Sequence, residues 1–395
     1  MKKKLIALAA AAGTGLACAQ SSVTLFGTVD LGVTSQTTTA TDPQTGTSVK
    51  TRRTSLASSG SSSSYIGFRG TEDLGGGLAA SFWLEAAVNA DDGTAGAGSQ
   101  SSASSLLFNR RSTVSLSGHF GELRLGRDYT PTYWSDTLFD PFGTTGSGAS
   151  VISTVSGNTT LANSNYMRAS NSVSYFLPSN LGGFYGQLQY AMPENTSTST
   201  TTGSSTTTTT GQAGRYAGGR FGYAQGPLDV ALSYGESVTD DTSELRRQVR
   251  TLNLGSSYDF GPVKLFGELS QVRNQFDYAT LSRHDNYNGY LFGATVPVGA
   301  GLIRAAYSAV HYDEGGDGIY GSAPRAQKLS LGYVHNLSKR TSLYATIARV
   351  VNHNDSAYSG SLISASTTGF GDASYASGYT PRSSTGYDFG IRHSF

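Results

Sequence analysis

The chain has 395 residues and carries little charge, since only 14% of its residues are Asp, Glu, Lys or Arg, while glycine (50), tyrosine (23) and phenylalanine (17) are plentiful. Its formal net charge of +1 gives no reason to expect a nucleic-acid partner. Cys18 is the only cysteine, and it lies in the leader described next, so the remainder of the chain has neither a disulfide nor a thiolate nucleophile.

The first 19 residues have the pattern of a secretory signal peptide. Three lysines at positions 2–4 precede a short apolar stretch, and Ala17-Cys18-Ala19 ends in small residues that suit cleavage before Gln20. The alternative is lipoprotein processing at Cys18, but Gly15 stands where that signal has an aliphatic residue. Without the three leader lysines, residues 20–395 contain 25 Lys and Arg against 27 Asp and Glu, a formal charge of −2.

From Val23 onward the chain alternates between apolar and polar residues, which is the period of a two-faced β-strand. Val23, Leu25, Val29 and Val33 share one face, and Thr24, Thr28 and Asp30 share the other. The same alternation recurs in the segments 64–70, 78–88, 122–129, 173–177, 184–190, 228–234 and 263–269.

The connections between these segments alternate in length. Seven short turns separate eight long polar segments, which are 36–51, 90–105, 130–165, 193–213, 237–248, 275–284, 312–326 and 353–384. This count predicts sixteen strands with both termini on the short-turn side. Outside the leader there is no run of about 18 apolar residues that could form a membrane-spanning helix. An even strand number with short turns on one side and long loops on the other predicts a 16-stranded antiparallel transmembrane β-barrel, whose closure pairs every strand edge.

A barrel of this size holds water unless something narrows it. The segment 130–165 has no clear period of 2 or 3.6, and it carries Trp134, Phe139 and Phe142 beside the acids Asp136 and Asp140. Long loops in compact domains are usually functional, so we expect this third outer loop to fold inward across the barrel. By contrast, the Ser/Thr-rich segment 193–213 offers little apolar surface and is expected to be a loose outer loop.

Several motifs resemble Gram-negative general porins of the β-proteobacterial type. They are SSVTLFGTVDLGV at the start, YIGFRGTEDLGGGL, FNRRSTVSLSGHFGELRLGRDYTP, DPFG in the long loop and GYDFGIRHSF at the end. The resemblance implies a homotrimer of sixteen-stranded barrels in the outer membrane, beside lipid and lipopolysaccharide. It also implies that the terminal Phe395 serves as a signal for the outer-membrane assembly machinery.

In such porins, arginines on the barrel wall face carboxylates on the constriction loop. The resemblance implies that particular residues of this chain occupy these positions. Arg168 and Arg110 match wall arginines, and Arg168 faces inward if Val173 and Tyr175 face outward. Strand alternation with Val114 and Leu116 places Arg110 on the apolar side, unless the strand lies at a trimer interface or carries a bulge, so Arg111 is the second choice. A third arginine is replaced by Tyr65, for which Arg69 and the pair 52–53 are nearby substitutes. Asp140 and Asp136 are the loop acids.

The expected function is passive diffusion of ions and small hydrophilic solutes with a mild preference for anions. One alternative is a porin with a saturable site for small organic anions or sugars, and a remote one is a barrel enzyme. The six histidines are scattered, and neither H-E-x-x-H nor G-x-S-x-G is present. We therefore expect no catalytic residues, no cofactor and no metal site. A barrel that serves only as a membrane anchor, without transport, would carry a substantial second domain. The predicted strands of the barrel account for the whole chain after the leader.

Overall fold

The computed structural model describes residues 22–42, 44–96, 108–157, 161–195, 197–202, 205–315, 324–353 and 379–395, and most of these lie in antiparallel strands. The strands in chain order are β1 Ser22–Thr41, β2 Ser48–Ser58, β3 Tyr65–Gly75, β4 Leu78–Ala87, β5 Arg111–Gly118, β6 Gly121–Tyr129, β7 Arg168–Phe176, β8 Phe184–Ala191, β9 Ser197–Thr202, β10 Ser205–Thr210, β11 Tyr216–Gln225, β12 Leu228–Asp241, β13 Leu245–Asp259, β14 Lys264–Tyr278, β15 Ser282–Val298, β16 Gly301–Gly315, β17 Arg325–Asn336, β18 Thr341–His353 and β19 Thr380–Ser394.

The strands close into a barrel because β1 is paired on both edges. One edge pairs with β19 from Thr28 to Thr41, and the other pairs first with β3 and then with β2. Since β2 and β3 lie end to end along the same edge of β1, they occupy one position in the barrel. With β9 and β10 apart in a sheet of their own, sixteen strand positions remain, which confirms the predicted 16-stranded antiparallel barrel.

The two faces of each strand differ as the alternation predicted. On β13, Leu252 and Leu254 are 41% and 44% exposed on the outer face, whereas Thr251 and Asn253 are buried on the inner face. On β19 the same outer pattern is formed by Tyr387, Phe389 and Ile391, all at least 46% exposed. An apolar exterior around a polar interior is the pattern of a barrel that sits in lipid.

All seven predicted short turns join the expected strands, but three of the long loops are shorter than predicted. The chain remains in strand through most of 36–51, and β12 to β13 and β14 to β15 turn within a few residues. The predicted leader 1–19 and parts of the loops 90–105, 312–326 and 353–384 lie outside the described residues.

The segment 193–213 contains a hairpin in which β9 pairs with β10, from Ser205 opposite Thr202 to Thr210 opposite Ser197. The hairpin forms in a segment with little apolar surface because β-branched threonine by itself favours the extended conformation of a strand. The looseness of this outer loop stays a prediction.

No helix among the described residues is long and apolar enough to cross a membrane.

Candidate functional site

Residues 130–167, which connect β6 to β7, form two short helices, Pro131–Phe139 and Val151–Ser156. The first helix begins at Pro131 because Thr130 caps it: the Thr130 hydroxyl accepts from the Tyr133 N–H at 3.4 Å, and proline suits the first helical position. The same hydroxyl donates to the Tyr166 carbonyl at 2.6 Å, which ties the two ends of the segment together. Helices of nine and six residues are too short to show a period in the sequence, which is why the segment has no clear period of 3.6.

The second helix packs in an apolar cluster against the inner faces of β13–β18, which we call the anchoring wall. Val151, Ile152 and Val155 of the helix are buried there together with Leu161. The wall members of this cluster are Val249, Val272, Tyr287, Leu291, Val310, Tyr312, Ala326 and Val350. Each buried aliphatic side chain contributes roughly 1.5–3 kcal/mol, so this cluster holds the segment against one side of the barrel.

The first helix also packs against the anchoring wall, close to its backbone. Gly255 of β13 lies beneath the ring of Phe139, and a Cβ at this position would collide with that ring. Asn253, two residues earlier, donates from Nδ2 to Asp136 at 2.5 Å. These contacts lie on the face of β13 opposite Leu252 and Leu254, which is the inner face.

Asp136 is buried, with 1% of its surface exposed. It accepts hydrogen bonds from Asn253 and, at 2.7 Å, from the Tyr166 hydroxyl. Glu268 on β14 places a second buried carboxyl group beside it, and two carboxyl groups in one buried site favour a shared proton. Burial raises the pKa of Asp136 to about 7.

Asp140 organises the turn that follows the first helix. Its carboxylate accepts from the N–H groups of Phe142 and Ser150, both at 2.9 Å, and of Thr144 at 3.4 Å. Burial raises the pKa of Asp140, and these N–H donors oppose the rise. We expected Asp140 and Asp136 to face the channel. The structure instead buries both carboxyl groups, and their partners within the protein give them a structural role.

The tip of the segment is held by the last strand and by residues 59–64. Asp388 of β19 accepts from the Ser147 N–H at 2.7 Å and from its hydroxyl at 2.8 Å. Gly146, at φ +66°, lies so close to the Gly60 carbonyl that no Cβ would fit. Asp30 in turn fixes residues 59–64 by accepting from the N–H groups of Ser61 and Ser62, at 2.9 and 2.6 Å.

The structure brings Arg110 and Arg168 together at one hydroxyl group. Arg110 Nη2 and Arg168 Nη2 each donate to the Tyr129 hydroxyl at 2.8 Å. Arg110 Nε also donates to Glu85 of β4, and its guanidinium carbon lies 5.0 Å from the ring centroid of Tyr65. The arginine that the resemblance leads one to expect at Tyr65 is thus replaced by an aromatic ring beneath Arg110.

Arg111 and Arg69 lie beside this group but are not part of it. Arg111 faces inward, with Nε 3.6 Å from Asp128 and its guanidinium carbon 4.4 Å from the Trp83 ring centroid. Arg124 completes the neighbourhood through ion pairs of 2.6 Å to Asp128 and 2.8 Å to Glu122. Arg69 is exposed on β3, with its guanidinium carbon 5.1 Å from the rings of Phe26 and Trp83. Arg52 and Arg53 are exposed on β2.

Both alternation arguments for the wall arginines need correction. The conflict at Arg110 disappears without a trimer interface or a bulge, because β5 begins at Arg111 and the strand period does not extend to Arg110. For Arg168, counting from Val173 crosses a register shift, since Ser172 faces Gly126 whereas Ala169 faces Asp128. The contact with Tyr129 shows that Arg168 faces inward, whereas counting alternate residues from Val173 does not.

This region also contains residues that were not predicted as site residues, among them Tyr129, Glu85, Arg124 and Arg220. Glu85 was visible only as a polar residue on the inner face of a predicted strand. Arg220 on β11 shares the parity of inward-facing residues, and its guanidinium carbon lies 5.0 Å from the Tyr185 ring centroid and 5.9 Å from that of Trp134. We call the part of the barrel interior that carries these cations the arginine wall, which comprises Arg110, Arg111, Arg124, Arg168 and Arg220.

The described residues contain no group of three or more His, Cys, Asp or Glu side chains that could hold a metal ion.

Comparison with known proteins agrees with this architecture. Residues 5–356 match the Gram-negative porin family. The chain is 41% identical over 398 residues to outer membrane porin protein 32 of Delftia acidovorans, and the match covers all of both chains. It is 30% identical over 385 residues to an outer membrane porin protein of Bordetella pertussis, covering 87% of this chain and 93% of the relative. Among solved structures, the anion-selective porin from Comamonas acidovorans superposes with a TM-score of 0.72 at 37% identity, covering 95% of this chain and 100% of that one.

Proposed function

The chain belongs to the Gram-negative porin family and forms an outer-membrane channel for passive diffusion; from this premise we propose that the channel prefers anions and that the preference arises at the arginine wall. The segment 130–167 narrows the lumen by lying against the anchoring wall, so that solutes pass between it and the arginines. Transport needs no energy source, no cofactor and no catalytic step.

The proposal depends on one observation: the loop acids are buried, so positive charge exceeds negative charge on the barrel interior near the arginine wall. Asp136 and Asp140, the acids expected to balance the arginines, are buried and bound within the protein. Arg110 and Arg168 converge on Tyr129, and Arg110 has Glu85 as its carboxylate partner. A ring of charge of one sign at a constriction selects ions of the opposite sign. The related porin from Comamonas acidovorans bears the description anion-selective, which agrees in direction.

The remaining elements of the proposal follow from the family. We propose cleavage of the leader after Ala19, assembly as a homotrimer in contact with outer-membrane lipid and lipopolysaccharide, and recognition of Phe395 by the assembly machinery. Phe395 is 41% exposed, and its backbone N–H donates to the Gly27 carbonyl at 3.0 Å. This bond joins the end of the chain to the first strand. The residue proposed as the assembly signal, Phe395, therefore lies where the first and last strands pair and close the barrel.

The test is the reversal potential in a planar bilayer under a KCl gradient. We expect Arg110→Gln and Arg168→Gln each to lower the anion preference, and the double variant to lower it by about half or more. The matched control is Arg250→Gln. Arg250 shares the outer face of Leu252 and Leu254 and pairs with Glu236 at 2.9 Å, so its loss should leave the reversal potential unchanged. An unchanged potential in the double variant would remove these arginines from the selectivity filter. No conductance at all from correctly folded trimers would refute the channel.

A further inference from the structure

A cleft of about 470 Å³ lies on the arginine wall beside the first helix. Four arginines and two carboxylates line it: Arg110, Arg111, Arg124, Arg220, Glu85 and Asp128. Cations thus outnumber acids by two to one among these charged residues. The cleft is large enough for a single-ring organic acid, and its charge favours an anion.

Arg220 is the cation of this cleft whose donors are least satisfied. Its Nε and Nη1 atoms are buried and have no hydrogen-bond partner among the described residues. The neighbouring carboxylate of Asp229 is hydrogen-bonded by the Tyr185 hydroxyl at 2.7 Å. A buried donor without a partner costs free energy, and a guanidinium held over an aromatic ring keeps its N–H groups in one fixed plane, where a carboxylate oxygen can accept from one of them.

Trp134 gives the cleft an aromatic surface that the fold does not explain. Large apolar side chains on the outer faces of the strands are exposed in the isolated chain, and lipid covers them in the membrane. Trp134 lies on the first helix, inside the barrel, and is nevertheless 37% exposed. Its ring centroid lies 5.5 Å from that of Tyr129 and 5.9 Å from the guanidinium carbon of Arg220, and the exposed part of the indole lines the cleft. The other indole, of Trp83, is flanked by Arg111 and Phe26 at 4.4 and 4.9 Å.

From these observations we propose that the cleft is a saturable binding site for planar aromatic carboxylates of about the size of benzoate. The carboxylate group accepts a hydrogen bond from an unpartnered N–H group of Arg220, and the ring stacks on Trp134. Aromatic rings prefer offset or edge contacts at centroid distances of about 4.5–7 Å, which the open side of the indole permits. This inference rests on the proposed channel function and adds a class of solute to it, because such a site raises the local concentration of aromatic acids at the narrowest part of the path.

The chain carries its own reporter of this site, because its only two tryptophans, Trp83 and Trp134, both line the cleft. Benzoate titrated into the folded protein in detergent should change the tryptophan fluorescence and reach saturation. Cyclohexanecarboxylate has the same charge and nearly the same size but lacks a π face, and it should bind about threefold or more weakly. Benzoate should also block the KCl current of the channel over the same range of concentration.

Two variants and one control decide between explanations. Arg220→Gln should weaken both acids by about tenfold, since a hydrogen bond to a charged group is lost. Trp134→Leu should abolish the preference for benzoate over cyclohexanecarboxylate in the current block. The control is Arg304→Gln, on β16, where Arg304 lies outside this cleft and donates to Ser61 at 3.2 Å; it should leave both affinities unchanged.

Fluorescence that changes only linearly with benzoate, or a benzoate preference that survives Trp134→Leu, would overturn the aromatic-acid site. A channel with normal KCl conductance would then retain its proposed function. Conversely, saturable binding in detergent by a protein that conducts no ions would support the site while refuting the channel, so the two failures are distinguishable.

Discussion

The arginine wall and the anchoring wall face each other inside the same barrel, and they treat the segment 130–167 in opposite ways. The anchoring wall turns aliphatic and aromatic side chains inward and forms an apolar core with Val151, Ile152 and Val155. The arginine wall turns guanidinium groups inward and meets the segment chiefly through aromatic rings such as Trp134.

The contrast between the two walls indicates where the selectivity of a wide barrel arises. A water-filled lumen screens charges within about 8–10 Å at physiological salt, so arginines matter only if the passage is brought close to them. The apolar core holds the segment against the anchoring wall by packing, and the hydrogen bonds from Asn253 to Asp136 and from the Ser147 N–H to Asp388 hold it as well. The acids of the segment are bound within the protein, so in the proposed channel the arginines of the opposite wall determine the electrostatic character of the passage.

The largest effect should follow from detaching the segment from the anchoring wall. Ile152→Asp places a carboxylate in the apolar cluster, where an unpaired charge costs about 3–5 kcal/mol or more. The segment should leave the wall while the strand pairing of the barrel remains. We therefore expect larger and noisier single-channel conductance and a weaker anion preference, measured in planar bilayers on protein shown to be folded by circular dichroism.

The control for this experiment is Leu138→Asp, the same chemical change at a residue of the first helix that is 38% exposed. It should leave the conductance within the range of the unaltered protein. If Ile152→Asp also leaves conductance and noise unchanged, the apolar cluster does not hold the segment in place.

The sequence predicts the barrel well because lipid imposes a local rule. Each outward position must be apolar, so residues such as Leu252 and Leu254 reveal their orientation from their nearest neighbours alone. The strand number follows from counting turns. Loop lengths were less predictable, since strands continue beyond the apolar belt as polar hairpin arms, as β12 and β13 do up to Asp241 and from Leu245.

The site was less predictable because its residues acquire their roles from distant partners. Asp136 is buried beside Asn253 and Glu268, which lie far along the chain on β13 and β14. The residues next to Asp136 in the sequence do not predict this burial. Arg110 and Arg168 were found through the resemblance, whereas Tyr129, which joins them, is an ordinary strand-end tyrosine until the fold brings three segments together.

A smaller effect, of the opposite sign to the loss of an arginine, should follow from removing the carboxylate partner of Arg110. Glu85 is 6% exposed and also accepts from the Trp83 indole N–H at 3.2 Å. Glu85→Gln retains the shape of the side chain and removes its charge, so Arg110 acts on passing anions without a counter-charge. The reversal potential should move toward greater anion preference. Glu236→Gln, on the outer face, should produce no shift, and a move toward cations in Glu85→Gln would contradict the assigned role of Arg110.

The smallest effect concerns pH and the first helix. Burial raises the pKa of Asp136 from its ordinary value of 3.8 to about 7, so folding favours the protonated acid. The stabilisation is complete below about pH 4 and is lost as the pH rises through about 7.

The first helix should therefore bind the anchoring wall more firmly near pH 5 than near pH 8, with less than about a twofold change in the frequency of conductance fluctuations. Asp136→Asn combined with Glu268→Gln, which mimics the neutral pair of acids, should remove this dependence. Asp42→Asn provides the control, since Asp42 is exposed and bonded within its own turn to Thr45 at 2.7 Å. A pH dependence that persists unchanged in this double variant would assign it to a group other than the two acids.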